Sequence, residues 1–243
     1  MPREPSVYIK LVDPMFLTSF VNDGIIHFGS TAEYRKIEET MGNSWIGDKQ
    51  DGLLTVPTKH LSEFKSVITY AGKSYSVPVT GGLSMSMGMD AFCFTHIEIS
   101  ELLNPNKRTK LIKDLNNSLL SDPDFPKKVV YFKDFSIFKK RLMRCLEIAG
   151  YESAIGNVIY DKEPYERAVW IMKHLPGSGL GSTFWINFVK AKKFSIERET
   201  RIIINHRALF RNFENVKIGS ICSITNCYDS LADFIKDFYE TNC

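Results

Sequence analysis

The sequence predicts an α+β fold: a mainly antiparallel, strongly twisted sheet with flanking helices. Two observations carry that reading. Strand-like and helix-like segments follow one another without strict strand–helix–strand alternation, which argues against a doubly wound parallel sheet. Residues 67–70 and 75–79 flank Ala71-Gly72-Lys73-Ser74, a pattern that closes a β-hairpin. At 243 residues with 44% hydrophobic content, the chain suits one α+β domain over 1–243 with a real core. A helical insertion is expected around residues 100–150.

Residues 7–11 read as the first strand. Asp13-Pro14 opens a helix, with Asp as N-cap and Pro at the first helical position. Phe16, Leu17, Phe20 and Val21 give that helix an apolar face, and Gly24 suits its left-handed stop. Residues 25–30 form a second strand and 30–40 a short helical or turn segment. A polar loop is expected over 41–52 and a strand over 53–58. Residues 81–89 are low in complexity and read as mobile. Residues 91–99 alternate as a strand, with Phe92, Phe94, His96 and Glu98 on one side. Helical tendency over 101–120 breaks at Asn104-Pro105, and 127–133 is a strand. Asp134 caps the clearest helix, 135–149. Its apolar positions Phe135, Phe138, Leu142, Cys145 and Leu146 recur at helical spacing, and Gly150 ends it. Further on come a strand at 155–160, a helix at 165–173 and a flexible loop at 175–183. Residues 184–189 are helix or strand, and strands are expected at 194–205 and 216–225. The amphipathic final helix, 229–240, can dock on its own core or on a second subunit.

No apolar run approaches the roughly 20 residues of a membrane helix, and the first residues lack an apolar signal region. The five cysteines are odd in number and scattered, as expected of reduced thiols in a cytoplasmic protein. Positive charge is clustered: residues 107–144 hold eleven basic residues against four acidic, and 190–211 seven against two. Such clusters mark either an anion site, for a nucleotide, another phosphate-bearing ligand or nucleic acid, or solvated helix faces.

The most informative stretch is 194–205, Phe-Ser-Ile-Glu-Arg-Glu-Thr-Arg-Ile-Ile-Ile-Asn. Glu197, Glu199 and Arg201 fall on one face of a strand, and three such charges are costly unless paired or used. As chemistry, a carboxylate in a cleft binds a ribose hydroxyl pair, steadies a developing cation or acts as a base, while Arg201 grips a phosphate. As structure, the same set is an inter-strand ion network. Metal ligation would need a further group, such as Asp48, Asp51, Asp161 or His206, and no metal is expected.

A second block runs through His27, Ser30, Tyr34 and Arg35. Ser30-Thr31 at a helix start offers backbone N–H groups to a phosphate. Tyr34 can stack on a base or pack in the core. Arg35 can meet phosphate or pair with Glu38 or Glu39. The glycines of 175–183 fit neither a Walker loop nor a dinucleotide fingerprint, and Cys222 and Cys227 lack zinc-finger spacing.

Gly-Ile-Ile-His-Phe-Gly-Ser at 24–30, Tyr-Arg-Lys-Ile-Glu-Glu at 34–39, Ala-Phe-Cys-Phe-Thr at 91–95, Val-Ile-Tyr at 158–160 and Glu-Arg-Glu-Thr-Arg at 197–201 together resemble a family of uncharacterised bacterial and phage proteins. The chain also resembles the ADP-ribosyltransferases. Those enzymes end their site on a strand bearing Glu-x-Glu, which Glu197-Arg198-Glu199 matches. The resemblance implies NAD as substrate and Glu199 and Glu197 as catalytic residues. Tyr8 or Lys10 would stand on the first strand, where that family has His or Arg, and Ser30 and Tyr34 in the middle element. Two other readings stand beside it. One is a non-catalytic nucleotide binder that sequesters or senses a signal in phage–host conflict. The other is a metal-dependent nuclease, although the commonest such motif has a Lys two residues after the glutamate, where this chain has Arg201.

Overall fold

The computed structural model describes residues 5–31, 53–63, 65–70, 73–78, 83–86, 89–119, 127–174, 185–205 and 213–242. The chain opens with β1 (Ser6–Val12) and α1 (Pro14–Val21). Asp13 accepts from the Met15 N–H at 2.9 Å, and Pro14 fills the first helical position, as the sequence predicts. Gly24, at φ +63°, turns the chain into β2 (Ile25–Ser30). After β3 (Leu53–Val56) come the hairpin strands β4 (Lys65–Tyr70) and β5 (Lys73–Pro78), then β6 (Leu83–Ser86). β7 (Met89–Glu98) leads into α2 (Ile99–Leu103) and α3 (Pro105–Leu119), which divide at Asn104 as expected. β8 (Lys128–Phe132) and α4 (Phe135–Ile148) follow, then β9 (Ser153–Asn157), β10 (Ile159–Asp161) and α5 (Pro164–His174). The last elements are β11 (Val189–Ala191), β12 (Glu199–Asn205), β13 (Phe213–Lys217), β14 (Thr225–Tyr228) and α6 (Leu231–Asn242).

The fold is α+β with a mainly antiparallel sheet. β7 is the hub of an eight-stranded sheet. Along one edge it pairs with β12, from Glu199 opposite Thr95 to Asn205 opposite Met89, and β9 lies beyond β12. Along its other edge it carries two strands in succession. β1 pairs with residues 95–98 and β2 with residues 90–91. β8 and β14 extend the β1 branch, and β13 extends the β2 branch. The sheet therefore forks, and among the described residues, positions 92–94 of β7 have a strand partner on the β12 side alone. β8 lies within the stretch 100–150 expected as a helical insertion, so that stretch contributes a strand to the main sheet.

Alternation along the strands puts an apolar set on each face. On one face Phe28, Phe92, Phe94 and Phe132 pack with Phe20 of α1 and with Phe138, Leu142 and Leu146 of α4. These rings meet edge-on or tilted, with Phe92 and Phe94 centroids 5.1 Å apart and Phe132 and Phe138 4.6 Å apart. On the other face Val7, Ile9, Ile97 and Val129 pack under α2, α3 and α6. The final helix thus buries Leu231, Phe234, Ile235 and Phe238 on its own chain. The basic run 107–144 is divided by the same arrangement. α3 lies on one face of the sheet through Leu111 and Leu115, and α4 lies on the other, so their charges form no common groove.

Several expected boundaries move. The strand expected at 194–205 starts at Glu199: residues Lys192–Glu197 form a 3-10 turn, and Arg198 sits at φ 49°, left-handed, which ends the pleat. The expected strand 216–225 is two strands, because Gly219 at φ +77° and the turn Cys222–Ile224 send the chain from the β2 branch to the β8 edge. The expected strand 155–160 splits at Val158: β9 joins β12, whereas β10 pairs in parallel with β11. Residues 185–188 form a 3-10 turn before β11. Within 81–89, residues 83–86 form a strand that pairs with β3. The helix expected at 30–40 and the loops at 41–52 and 175–183 lie outside the described residues, apart from Ser30 and Thr31.

Gly24 and Gly219 separate two physical effects. A Cβ on Gly24 would meet the Gly219 carbonyl oxygen at 1.9 Å and also carry a left-handed backbone, whereas one on Gly219 meets nothing within 4 Å. We expect Gly219→Ala to cost about 1–2 kcal/mol, the strain term alone. Gly24→Ala should cost at least 2 kcal/mol more, roughly, because backbone must move. Urea denaturation of both variants measures this, and equal losses would contradict it.

Candidate functional site

Register decides which charges meet. Glu199 lies opposite Thr95 and Arg201 opposite Cys93, so both side chains leave the same face of the sheet, where Ala91, Ile203 and Phe188 form the neighbouring apolar wall. Glu199 is 7% exposed and Arg201 1% exposed. The Arg201 guanidinium grips Glu199 in a fork, Nε to Oε1 at 2.8 Å and Nη2 to Oε2 at 3.0 Å. Its Nη1 donates to the Asn187 carbonyl at 2.8 Å. The strand thereby ties down the turn that precedes β11.

Lys190 of β11 joins the second carboxylate to this pair. Its Nζ donates to Glu197 Oε2 at 2.7 Å and to Glu199 Oε2 at 3.3 Å, with the Phe194 ring centre 4.9 Å away. Glu197 is on the 3-10 turn rather than on the strand, yet Lys190 brings it to Glu199. Tyr160 closes the group: its hydroxyl accepts the Glu199 backbone N–H at 2.8 Å.

The two carboxyls have opposite proton affinities. Burial alone would push Glu199 up, but the Arg201 and Lys190 charges outweigh burial and hold it well below the usual carboxylate range. Burial pushes Glu197 up against Lys190, and the Glu199 charge adds to the rise. Burial and the Glu199 charge also push the Tyr160 hydroxyl well above its ordinary value. Cys93 is likewise raised well above the thiol range, first by burial and then by Glu199, so it is no ready nucleophile. Glu197 keeps one oxygen, Oε1, with no hydrogen-bond partner among the described residues, and its side chain is 23% exposed.

The other sequence-predicted residues lie elsewhere. Tyr8 stacks on Phe135 with ring centroids 3.8 Å apart and serves the core. The Lys10 ammonium donates to the Cys93 carbonyl at 2.8 Å, inside the fork of the sheet, and burial pulls its pKa below the ordinary lysine value. His27 is exposed, with Nδ1 and Asn215 Oδ1 2.9 Å apart. Ser30 pairs with Asp90 of β7, whose partner on the other edge is Ile204 of β12. Ile204 is five strand steps from Glu199, so Ser30 stands roughly 17 Å along the sheet from that carboxylate. The expected meeting of Glu199 with the 30–35 segment is therefore not made by Ser30. Tyr34 and Arg35 lie outside the described residues. At 1% exposure, Arg201 is committed to Glu199 and Asn187 instead of presenting itself to a phosphate. Lys190, Tyr160 and Asn187 were not singled out from the sequence. Lys190 was visible there as one of the basic residues of 190–211.

Comparison of the chain with protein-family models, with curated proteins and with solved structures finds no match. Cys93, Cys145, Cys222 and Cys227 are free thiols, and no described helix is long and apolar enough to cross a membrane.

Removing one member of a buried pair strands the other. Arg201→Met should destabilise the protein by about 3–5 kcal/mol, because Glu199 would remain charged and buried. The double variant Glu199→Gln/Arg201→Met should lose less than the sum of the two single losses, by about 1 kcal/mol or more. Chemical denaturation of all four proteins gives the cycle, and strict additivity would show that the pair is not coupled.

Proposed function

We propose that the protein processes a nucleotide, and most specifically that it uses NAD in the manner of an ADP-ribosyltransferase. One observation carries this reading: two carboxylates share Lys190, and their surroundings drive their proton affinities apart. Sites that combine a fixed anion with a proton-exchanging acid are built in this way.

Glu197 is the carboxylate that reaches substrate in this reading. It is partly exposed, and its Oε1 has no hydrogen-bond partner among the described residues. In the reaction the bond between ribose and nicotinamide breaks, the electron pair leaves with nicotinamide, and positive charge develops on the ribose. The Glu197 anion steadies that charge and accepts the proton of an attacking water or hydroxyl. Glu199 does not touch the substrate. It holds Lys190, which positions Glu197, and Arg201 keeps Glu199 ionised. The exposed Lys192 and Lys193, on the same turn as Glu197, are available for phosphates.

A second reading, a non-catalytic nucleotide binder, draws support from the completeness of the Glu199 pairing. A metal-dependent nuclease is less well supported, because both Glu199 oxygens already face cationic nitrogens.

Incubation with NAD should release nicotinamide, and Glu197→Gln should slow release by about 100-fold or more with the fold intact. Glu199→Gln should also slow it, with a loss of stability that Glu197→Gln does not show. Stabilisation by nucleotides without turnover would favour the binder. Mg²⁺-dependent cleavage of DNA or RNA would favour the nuclease. No release by the folded protein, with no nucleotide binding, would remove the reading.

A further inference from the structure

We propose that the fork of the main sheet is a binding site for a small monocarboxylate with an apolar body. The site lies along the edge of β7 away from β12, so it is separate from the Glu197–Glu199 cluster and does not rest on the nucleotide reading.

The fork follows from the register. β1 and β2 both pair with β7 on that edge, at residues 95–98 and 90–91, and among the described residues no strand lies beside the chain between these contacts there. The splayed strands and α1 enclose a cleft of about 430 Å³, whose walls include Lys10, Phe16, Phe20, Ile25, Phe92 and Asn215. That volume falls within the roughly 300–1,000 Å³ of small-molecule sites, which combine apolar walls with a few placed polar groups.

Lys10 is the placed group. An ammonium has three donors. One goes to the Cys93 carbonyl at 2.8 Å, a carbonyl in the stretch left without a strand by the fork, and the Phe92 ring centre lies 4.8 Å from the nitrogen. No carboxylate forms an ion pair with Lys10 among the described residues. A cation held in an apolar wall without a counter-ion is costly, and an entering anion repays that cost. Its other two donors have no hydrogen-bond partner among the described residues, and they match the two oxygens of a carboxylate.

The surrounding charges favour a monoanion. Lys127 adds positive potential and Glu199 opposes it from across β7. Asp13 also lines the cleft, with Oδ1 accepting the Met15 N–H, and it would repel a second negative charge on the ligand. Phe16, Phe20 and Phe92 offer rings to a flat or aliphatic body. The occupant is therefore an aromatic or short-chain aliphatic carboxylate rather than a phosphate monoester.

Calorimetric titration with benzoate, phenylacetate and octanoate tests the site, alongside benzamide, phenylacetamide, octanamide and phenyl phosphate. At least one carboxylate should bind, and its amide and phenyl phosphate should bind more weakly by on the order of tenfold or more. Lys10→Met should weaken carboxylate binding by on the order of tenfold or more. Phe16 is 57% exposed, so Phe16→Ala should fold, and it should also weaken binding while leaving any release of nicotinamide from NAD unchanged. If Lys10→Met fails to fold, the acid–amide comparison and Phe16→Ala decide. The proposal is overturned if no carboxylate binds the folded protein at about 10 mM, if amides bind as well as acids, or if phenyl phosphate binds best.

Discussion

The fork grip of Arg201 on Glu199 is the interaction on which the rest of the site depends. Both side chains are almost fully buried in β12, a strand with neighbours on both edges. Taking two charges out of water costs several kcal/mol per ion, and only good geometry with further hydrogen bonds recovers it. Here the guanidinium satisfies both carboxylate oxygens and then reaches the Asn187 carbonyl. Lys190 adds a second cation to Glu199. Two segments outside the main sheet, 185–188 and β11, are thereby fastened to it by charge as well as by the packing of Phe188 and Trp185.

That arrangement sorts two glutamates two residues apart into different chemical species. Glu199 is fixed as an anion by its cationic neighbours. Glu197 lies beyond the left-handed Arg198, on a turn, where burial raises its proton affinity and one oxygen has no hydrogen-bond partner among the described residues. Arg198 pairs with Glu101 of α2, the helix that follows β7 directly, which anchors the turn to the C-terminal end of β7. Local backbone geometry at one residue therefore separates a structural carboxylate from an available one.

Much of the scaffold was legible in the sequence because its signals are local. The Asp13-Pro14 start of α1, the Asp134 cap of α4 and the alternation of Phe92, Phe94 and His96 each depend on neighbours within a few residues. The charged triplet was legible as an expensive feature that needed partners. Those partners were not legible, because Lys190, Tyr160 and Asn187 reach it through loops and parallel pairing that no periodicity encodes. The same limit explains the basic run of 107–144: adjacency in sequence says nothing about which face of a sheet each helix will cover. The fork escaped as well, since it arises from β7 receiving two strands end to end on one edge. Arg198 misled the strand boundary because its left-handed backbone breaks a run that is otherwise strongly β-prone.

The division of the two carboxylates can be measured directly. Carbon-detected NMR of the Glu197 and Glu199 side-chain carboxyls, followed from about pH 8 down to the limit of the folded state, gives each midpoint against the ordinary glutamate value of about 4.3. Glu197 should titrate above that value. Glu199 should remain ionised below it for as long as the protein stays folded. Two midpoints near the ordinary value, or a higher one for Glu199, would contradict the account.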